Sequence, residues 1–335
     1  MTEEQDTGAA PLTASEYALK TGMLVIHHPA PPRPWSYRGW LMQTWSHLQQ
    51  MHAKLKKMDI PTSEYPPMPF PDRFSYWVAQ LEKLKVEGRA AVIDLPPHVD
   101  FKDSTTSCDA YKNIMECLDH LSYNGHGSWG SMRHFLDWLC FGLGLTSMYP
   151  DLTEKEQEYL YRTFNLEHWG YRPADHLGLI FSEWLSNGKH NPTAFFPTPM
   201  HLCMVMHKIV RAASAPPTQS YMDPCLGTGR TLLASSNDTV YLYGVELEKD
   251  IARCAAINMA VYAPWGVGGV YCGDSLSNTA PPYRMFHWAH YSDFLYAPGH
   301  DQMNLWEAMK VQYELQLERE NADQGVVGED AAPVA

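Results

Sequence analysis

Asp223-Pro-Cys-Leu-Gly227-Thr228-Gly229 closes a short apolar run, "SYM", with an acid and two closely spaced glycines. Glycines at such a place allow a tight turn and let a ligand approach the backbone where the next helix begins. Nineteen positions after Gly227 comes Glu246, at the end of a second run, "VYLYGVEL". A carboxylate at that place and spacing can accept both ribose hydroxyls of an adenosine-containing cofactor. Asp274, in "CGDSL" after a third run, is placed to accept from an adenine amino group. The alternative is three ordinary strand-end turns with solvated acids.

These residues need elements to hold them. The pattern from residue 195 onward predicts a helix over His201 to Ala213, a short buried strand at "SYMDP", and a helix at "GRTLLASS". A strand at "VYLYGVEL", a helix at "DIARCAAINMAVYA" and a strand at "GGVYCGDSL" follow. Alternation of this kind is the signature of an α/β fold with a parallel, Rossmann-like sheet, and ligands bind such sheets beyond the carboxyl ends of the strands.

From Asp175 to Ser277 the chain resembles the adenine-N6 DNA methyltransferase family, in particular the modification subunit of type I restriction systems and short phage or plasmid-borne relatives. The resemblance is carried by "HLGLIFSEWL", "FFPTP", "DPCLGTG", "GVELEKDIARCAAINMAVY" and "CGDSL", in that order. It implies S-adenosyl-L-methionine as cofactor. Phe196 and Thr198 would hold the methionine part, Asp223, Gly227 and Gly229 would line the turn, Glu246 would take the ribose and Asp274 the adenine. Pro197 departs from the family, which usually has an aromatic residue or Thr there.

A second departure concerns the acceptor. Family members carry Asn/Asp/Ser-Pro-Pro-Tyr/Phe at the end of a fourth strand, because the target amine must be held by side-chain and backbone oxygens while a ring stacks on the flipped base. "APPY", from Ala280 to Tyr283, lacks the side-chain oxygen and follows Leu276 too closely for a helix and strand to intervene, so a Pro-Pro turn is the preferred reading. Upstream, "RAAVIDLPPHVDF" reads as a strand over Ala90 to Ile93 that ends in Asp94-Leu95-Pro96-Pro97-His98. Circularly permuted relatives place their catalytic motif ahead of the cofactor motifs. Asp94, Pro96 and Pro97 are thereby candidate catalytic residues, with a strand-to-loop exit and a solvated Asp94 as the other reading.

The rest of the chain is mainly helical. Residues 1–15 read as a disordered polar tail and 16–170 as a helical region. Residues 171–310 form the methyltransferase-like domain, and 311–335 an acidic helix end and tail. "CDAYKNIMECLDHL", "SMRHFLDWLCFGLGL" and "TEKEQEYLYRTF" repeat apolar residues at three-and-four spacing, and Thr153 before Glu154 and Glu156 is a capping signal.

Composition narrows the classes of function. The chain has 335 residues and a net charge of −13. Nine acids near the ends (Glu3, Glu4, Asp6, Glu314, Glu318, Glu320, Asp323, Glu329 and Asp330) face only Arg319, leaving about −5 for the body. That excludes a general nucleic-acid binder, so contact with DNA needs a local basic patch or a partner subunit. Seven cysteines without a C-x-x-C pair point to reduced thiols, and sixteen histidines without ligand spacing, His287 and His290 included, predict no structural metal. No run approaches a membrane span and the start is acidic rather than basic and greasy, which predicts a cytoplasmic protein. Three readings stay open: a DNA adenine methyltransferase, a cofactor-binding or DNA-modification accessory protein without catalysis, and a methyltransferase acting on RNA or a small molecule.

Overall fold

The computed structural model describes residues 33–58, 67–87, 93–183, 195–212, 220–265, 268–276 and 283–287. The expected tail at 1–15, the acidic end at 311–335, most of the strand expected at Ala90 to Ile93, and Ala280 to Pro282 lie outside them.

Among the described residues, seven α-helices precede the cofactor motifs: α1 (Trp40–Lys57), α2 (Arg73–Glu87), α3 (Asp109–Leu121), α4 (Gly127–Gly142), α5 (Glu154–Thr163), α6 (Glu167–Tyr171) and α7 (His176–Glu183). Their apolar spacing sets their packing. In α3, Ala110, Ile114, Cys117, Leu118 and Leu121 form one buried stripe. The start of α5 carries a capping box in which the Thr153 hydroxyl accepts from Glu156 N and the Glu156 carboxylate accepts from Thr153 N.

Helix α8 (Met200–Ala212) leads into β1 (Ser220–Asp223), α9 (Arg230–Ser235), β2 (Tyr241–Glu246), α10 (Lys249–Tyr262), β3 (Gly268–Cys272) and β4 (Tyr283–His287). The sheet order is β1-β2-β3-β4. Strands β1, β2 and β3 are parallel, and β4 returns antiparallel beside β3. The protein is therefore mixed α/β, mostly helical, with a small sheet that is parallel over three strands.

Helix α10 is the centre of the packing. From Asp250 to Tyr262 only Arg253 escapes full burial, so the helix is covered all round. It touches β2 and β3 on one side and α4 and α7 on the other. Trp45 of α1 donates to the Val261 carbonyl at 2.8 Å, and one continuous apolar core runs from Trp40 to Val270.

One strand expectation needs correction. The strand at "SYMDP" is an edge rather than a buried strand, and Met222 is 54% exposed. With only β2 as a neighbour among the described residues, half of its surface stays open. Upstream, the segment Asp94 to Asp100 that follows the expected strand is irregular, and side-chain amides take its backbone bonds. Gln80 Oε1 accepts from Asp94 N at 3.0 Å, while the Asn237 amide both accepts from Val99 N and donates to Val99 O.

Candidate cofactor site

The strand pattern brings Asp223, Glu246 and Asp274 to one end of the sheet. Strand β1 ends at Asp223, β2 at Glu246, and Gly273 N donates to the Glu246 carbonyl just past β3. The turn between β1 and α9 needs its glycines, since Gly227 has φ 58° and Gly229 φ 89°. At Gly229 a side chain would also meet Ala255 of α10 at 3.3 Å.

Glu246 is fixed by that turn. Its Oε2 accepts from Gly227 N at 2.8 Å and its Oε1 from Glu248 N at 2.9 Å. Each carboxylate oxygen has two acceptor positions, so one per oxygen remains for a ligand hydroxyl. Asp223 works inward, accepting from Cys225 N at 2.9 Å and from the Thr231 hydroxyl of α9. Asp274 is exposed and accepts from Leu276 N at 2.9 Å, which orders the start of its own loop.

A buried ionic cluster that sequence reasoning missed braces the turn from behind. Asp175 is 1% exposed. It accepts from Arg230 Nε, Asn258 Nδ2 and Gly178 N, each at 2.8 Å, and from the Thr228 hydroxyl. Burial raises the proton affinity of its carboxyl, but the Arg230 charge and these hydrogen bonds outweigh it and hold the pKa below the usual carboxylate value. Asn258 also donates to the Thr228 carbonyl at 2.9 Å, and Arg230 reaches the Thr198 carbonyl at 3.0 Å. The signal in the sequence was the charge of Asp175 and Arg230 inside otherwise apolar or small-residue runs.

Arg230 thus faces inward, away from the strand ends. Those ends carry Asp223, Glu246, Glu248 and Asp274 with Lys249 beside them, a surface that repels polyphosphate. This set of carboxylate acceptors suits a ligand that carries hydroxyls or a cation and no phosphate.

The two phenylalanines of "FFPTP" face different ways. Phe196 is 80% exposed, whereas Phe195 is buried with its ring edge against the Gly227 turn, 3.2 Å from where a side chain would begin there. Thr198 is exposed, and its carbonyl accepts from Arg230. Phe195→Leu should cost about 1–1.5 kcal/mol in denaturant titration, and Phe196→Ala no more than about 0.5 kcal/mol. A larger loss for Phe196 than for Phe195 would overturn this packing.

The upstream candidate lies elsewhere. Buried Arg73 donates to the Pro97 carbonyl and the Tyr262 carbonyl, each at 2.9 Å, and to Asn237 Oδ1 at 2.6 Å. Pro97 is thereby clasped just past the end of α9 and at the last residue of α10. The fourteen residues of α10, rising ~1.5 Å each, put Tyr262 about 20 Å from the Glu246 end. Asp94 is exposed, with its carboxylate 3.3 Å from Gln80 Nε2 and 3.4 Å from Lys83 Nζ. The fold does not bring Asp94, Pro96 or Pro97 to the strand ends that gather Asp223, Glu246 and Asp274. At the other candidate, Tyr283 opens β4 opposite Cys272, a return strand on the far side of β3 from β1.

Among the described residues no cluster of three His, Cys, Asp or Glu side chains is placed to hold a metal ion, and no helix is long and apolar enough to cross a membrane. Comparison of the chain with family models, with curated proteins and with solved structures finds no match.

Proposed function

We propose that the chain binds S-adenosyl-L-methionine on a Rossmann-like methyltransferase sheet, and that its reaction is methyl transfer to the N6 amine of adenine in DNA. The observation that carries the cofactor half is the Glu246 carboxylate, pinned by Gly227 N and Glu248 N at the strand ends with acceptor positions left for two ribose hydroxyls. When bound, the cofactor supplies an electrophilic methyl group on sulfur. The chain orients it: Glu246 accepts from the ribose, Gly227 and Gly229 shape the turn, Phe195 backs that turn, and Asp274 accepts from the adenine. The DNA half of the reading rests on the sequence resemblance.

A second reading, a cofactor-binding accessory protein without catalysis, is favoured by a specific observation. Among the described residues no strand lies on the open edge of β1, and Asp94-Leu-Pro-Pro sits at the opposite end of the sheet. Helix α8 next to that edge exposes Leu202, Val205, Met206 and Ile209 on one face, which supports a partner subunit there.

Calorimetric titration with S-adenosyl-L-methionine tests the cofactor half, and absence of binding rejects both readings. Tritium transfer from labelled cofactor to DNA then separates them. Asp94→Ala should leave cofactor affinity and any methyl transfer unchanged within about twofold, since an exposed residue remote from the strand ends holds nothing that reacts. Loss of transfer with affinity intact would return Asp94 to the catalytic role.

A further inference from the structure

A second chemical group lies outside that site, where the chain after Phe101 runs alongside the start of α7. His176 Nε2 lies 3.0 Å from the Arg172 carbonyl, so this nitrogen carries the proton and donates it. Its other nitrogen, Nδ1, is then the free base. Two nucleophile-bearing side chains meet it: Ser104 Oγ at 2.8 Å and Cys108 Sγ at 3.8 Å. Ser104 and His176 are buried, while Cys108 is half-buried and reachable from solvent. Cys108 also caps α3, its sulfur accepting from Tyr111 N at 3.5 Å.

We propose that Cys108 is a reactive thiolate site, with His176 as its base, that is modified by hydroperoxides and other soft electrophiles. In the resting pair the thiol proton moves to His176 Nδ1, giving a thiolate beside an imidazolium whose Nε2–H stays on the Arg172 carbonyl. With a hydroperoxide, the sulfur bonds to the terminal oxygen as the O–O bond breaks. Sulfur is oxidised by two electrons to the sulfenic acid, and the departing alkoxide or hydroxide takes the proton from His176.

The local field supports this geometry. Burial raises the thiol pKa, but the hydrogen bonds from His176 and Tyr111 N and the His176 charge bring it down to about 6. The other titratable groups facing the sulfur are the phenols of Tyr111 on α3 and Tyr262 on α10, both raised by burial and therefore neutral. The contrast within the chain is sharp: burial pushes the Cys140 thiol up to about 12 and Cys203 up to about 11.

The test is iodoacetamide labelling of the full chain between pH 5 and 9, with each cysteine read by mass spectrometry. Exposed Cys225 serves as the internal reference. The labelling rate of Cys108 should reach half its maximum near pH 6, about two pH units or more below an ordinary thiol at about 8.5. The pH midpoint is the readout because a more acidic thiolate is intrinsically less nucleophilic, which shrinks any difference in absolute rate. A common midpoint for the two cysteines overturns the proposal. His176→Gln should return the Cys108 midpoint to that of Cys225, and an unmoved midpoint removes His176 as the base. Because His176 is buried, a variant that fails to fold is replaced by NMR of the His176 ring nitrogens in the unaltered chain. Alkylating Cys108 should move the Nδ1 resonance, which pairs with the sulfur, and leave Nε2 on the Arg172 carbonyl, and an unmoved Nδ1 overturns the pairing. After mild hydrogen peroxide, dimedone should trap Cys108 ahead of Cys225, and the reverse order rejects the hydroperoxide assignment.

Discussion

Glu246→Ala should weaken S-adenosyl-L-methionine binding by on the order of a hundredfold or more. Each hydrogen bond to a charged acceptor is worth about 1.5–3 kcal/mol, and in the proposed pose two ribose hydroxyls would share this carboxylate. The sum of about 3–6 kcal/mol corresponds to two to four decades of affinity at ~1.4 kcal/mol per decade. The alanine also releases Gly227 N and Glu248 N, which loosens the turn before the ligand arrives. Glu246→Gln keeps one oxygen acceptor and should fall between the two. Calorimetry on the three proteins decides the matter, and equal affinities would remove Glu246 from the site.

The second large effect is on stability. Asp175→Ala should destabilise the fold by about 3–5 kcal/mol in denaturant titration, because it leaves the buried Arg230 guanidinium only the longer ion pair with Asp103, at 3.5 Å. Asn258 Nδ2 and the Thr228 hydroxyl also lose an acceptor, so the glycine turn loosens with the core. Asp175→Leu combined with Arg230→Met should lose less than Asp175→Ala alone, since no charge then stays buried. The pH dependence has a definite sign. The folded pKa of Asp175 is depressed, so its contribution is fully present above the unfolded carboxyl value of about 3.9 and disappears as pH falls through the lower folded value. The Asp175 variants should therefore show a flatter loss of stability below about pH 4 than the unaltered chain. Parallel acid profiles would show that the pair carries no linkage.

How far the residues speak for themselves differs from element to element. Asp223, the two glycines and Glu246 could be placed from sequence because each lies at the end of a short strand, and the distance between strand ends is set by the length of the helix that crosses over. Helices α3, α4 and α5 were legible for a similar reason, as an apolar stripe of period three-and-four has one way to bury itself. All of these signals are local.

Three things were decided by tertiary packing. Whether Phe195 or Phe196 meets the turn depends on how the chain enters α8, and two adjacent identical side chains carry no information about which one faces inward. Whether Asp94-Leu-Pro-Pro reaches the cofactor end depends on Arg73, whose bonds to Pro97, Asn237 and Tyr262 tie residues far apart in sequence to the other end of the sheet. The pairings of Asp175 with Arg230 and of Cys108 with His176 likewise join residues 55 and 68 positions apart. A charge or a thiol in a sequence states what chemistry is available, whereas its partner, its burial and hence its pKa exist only once the chain has closed around it.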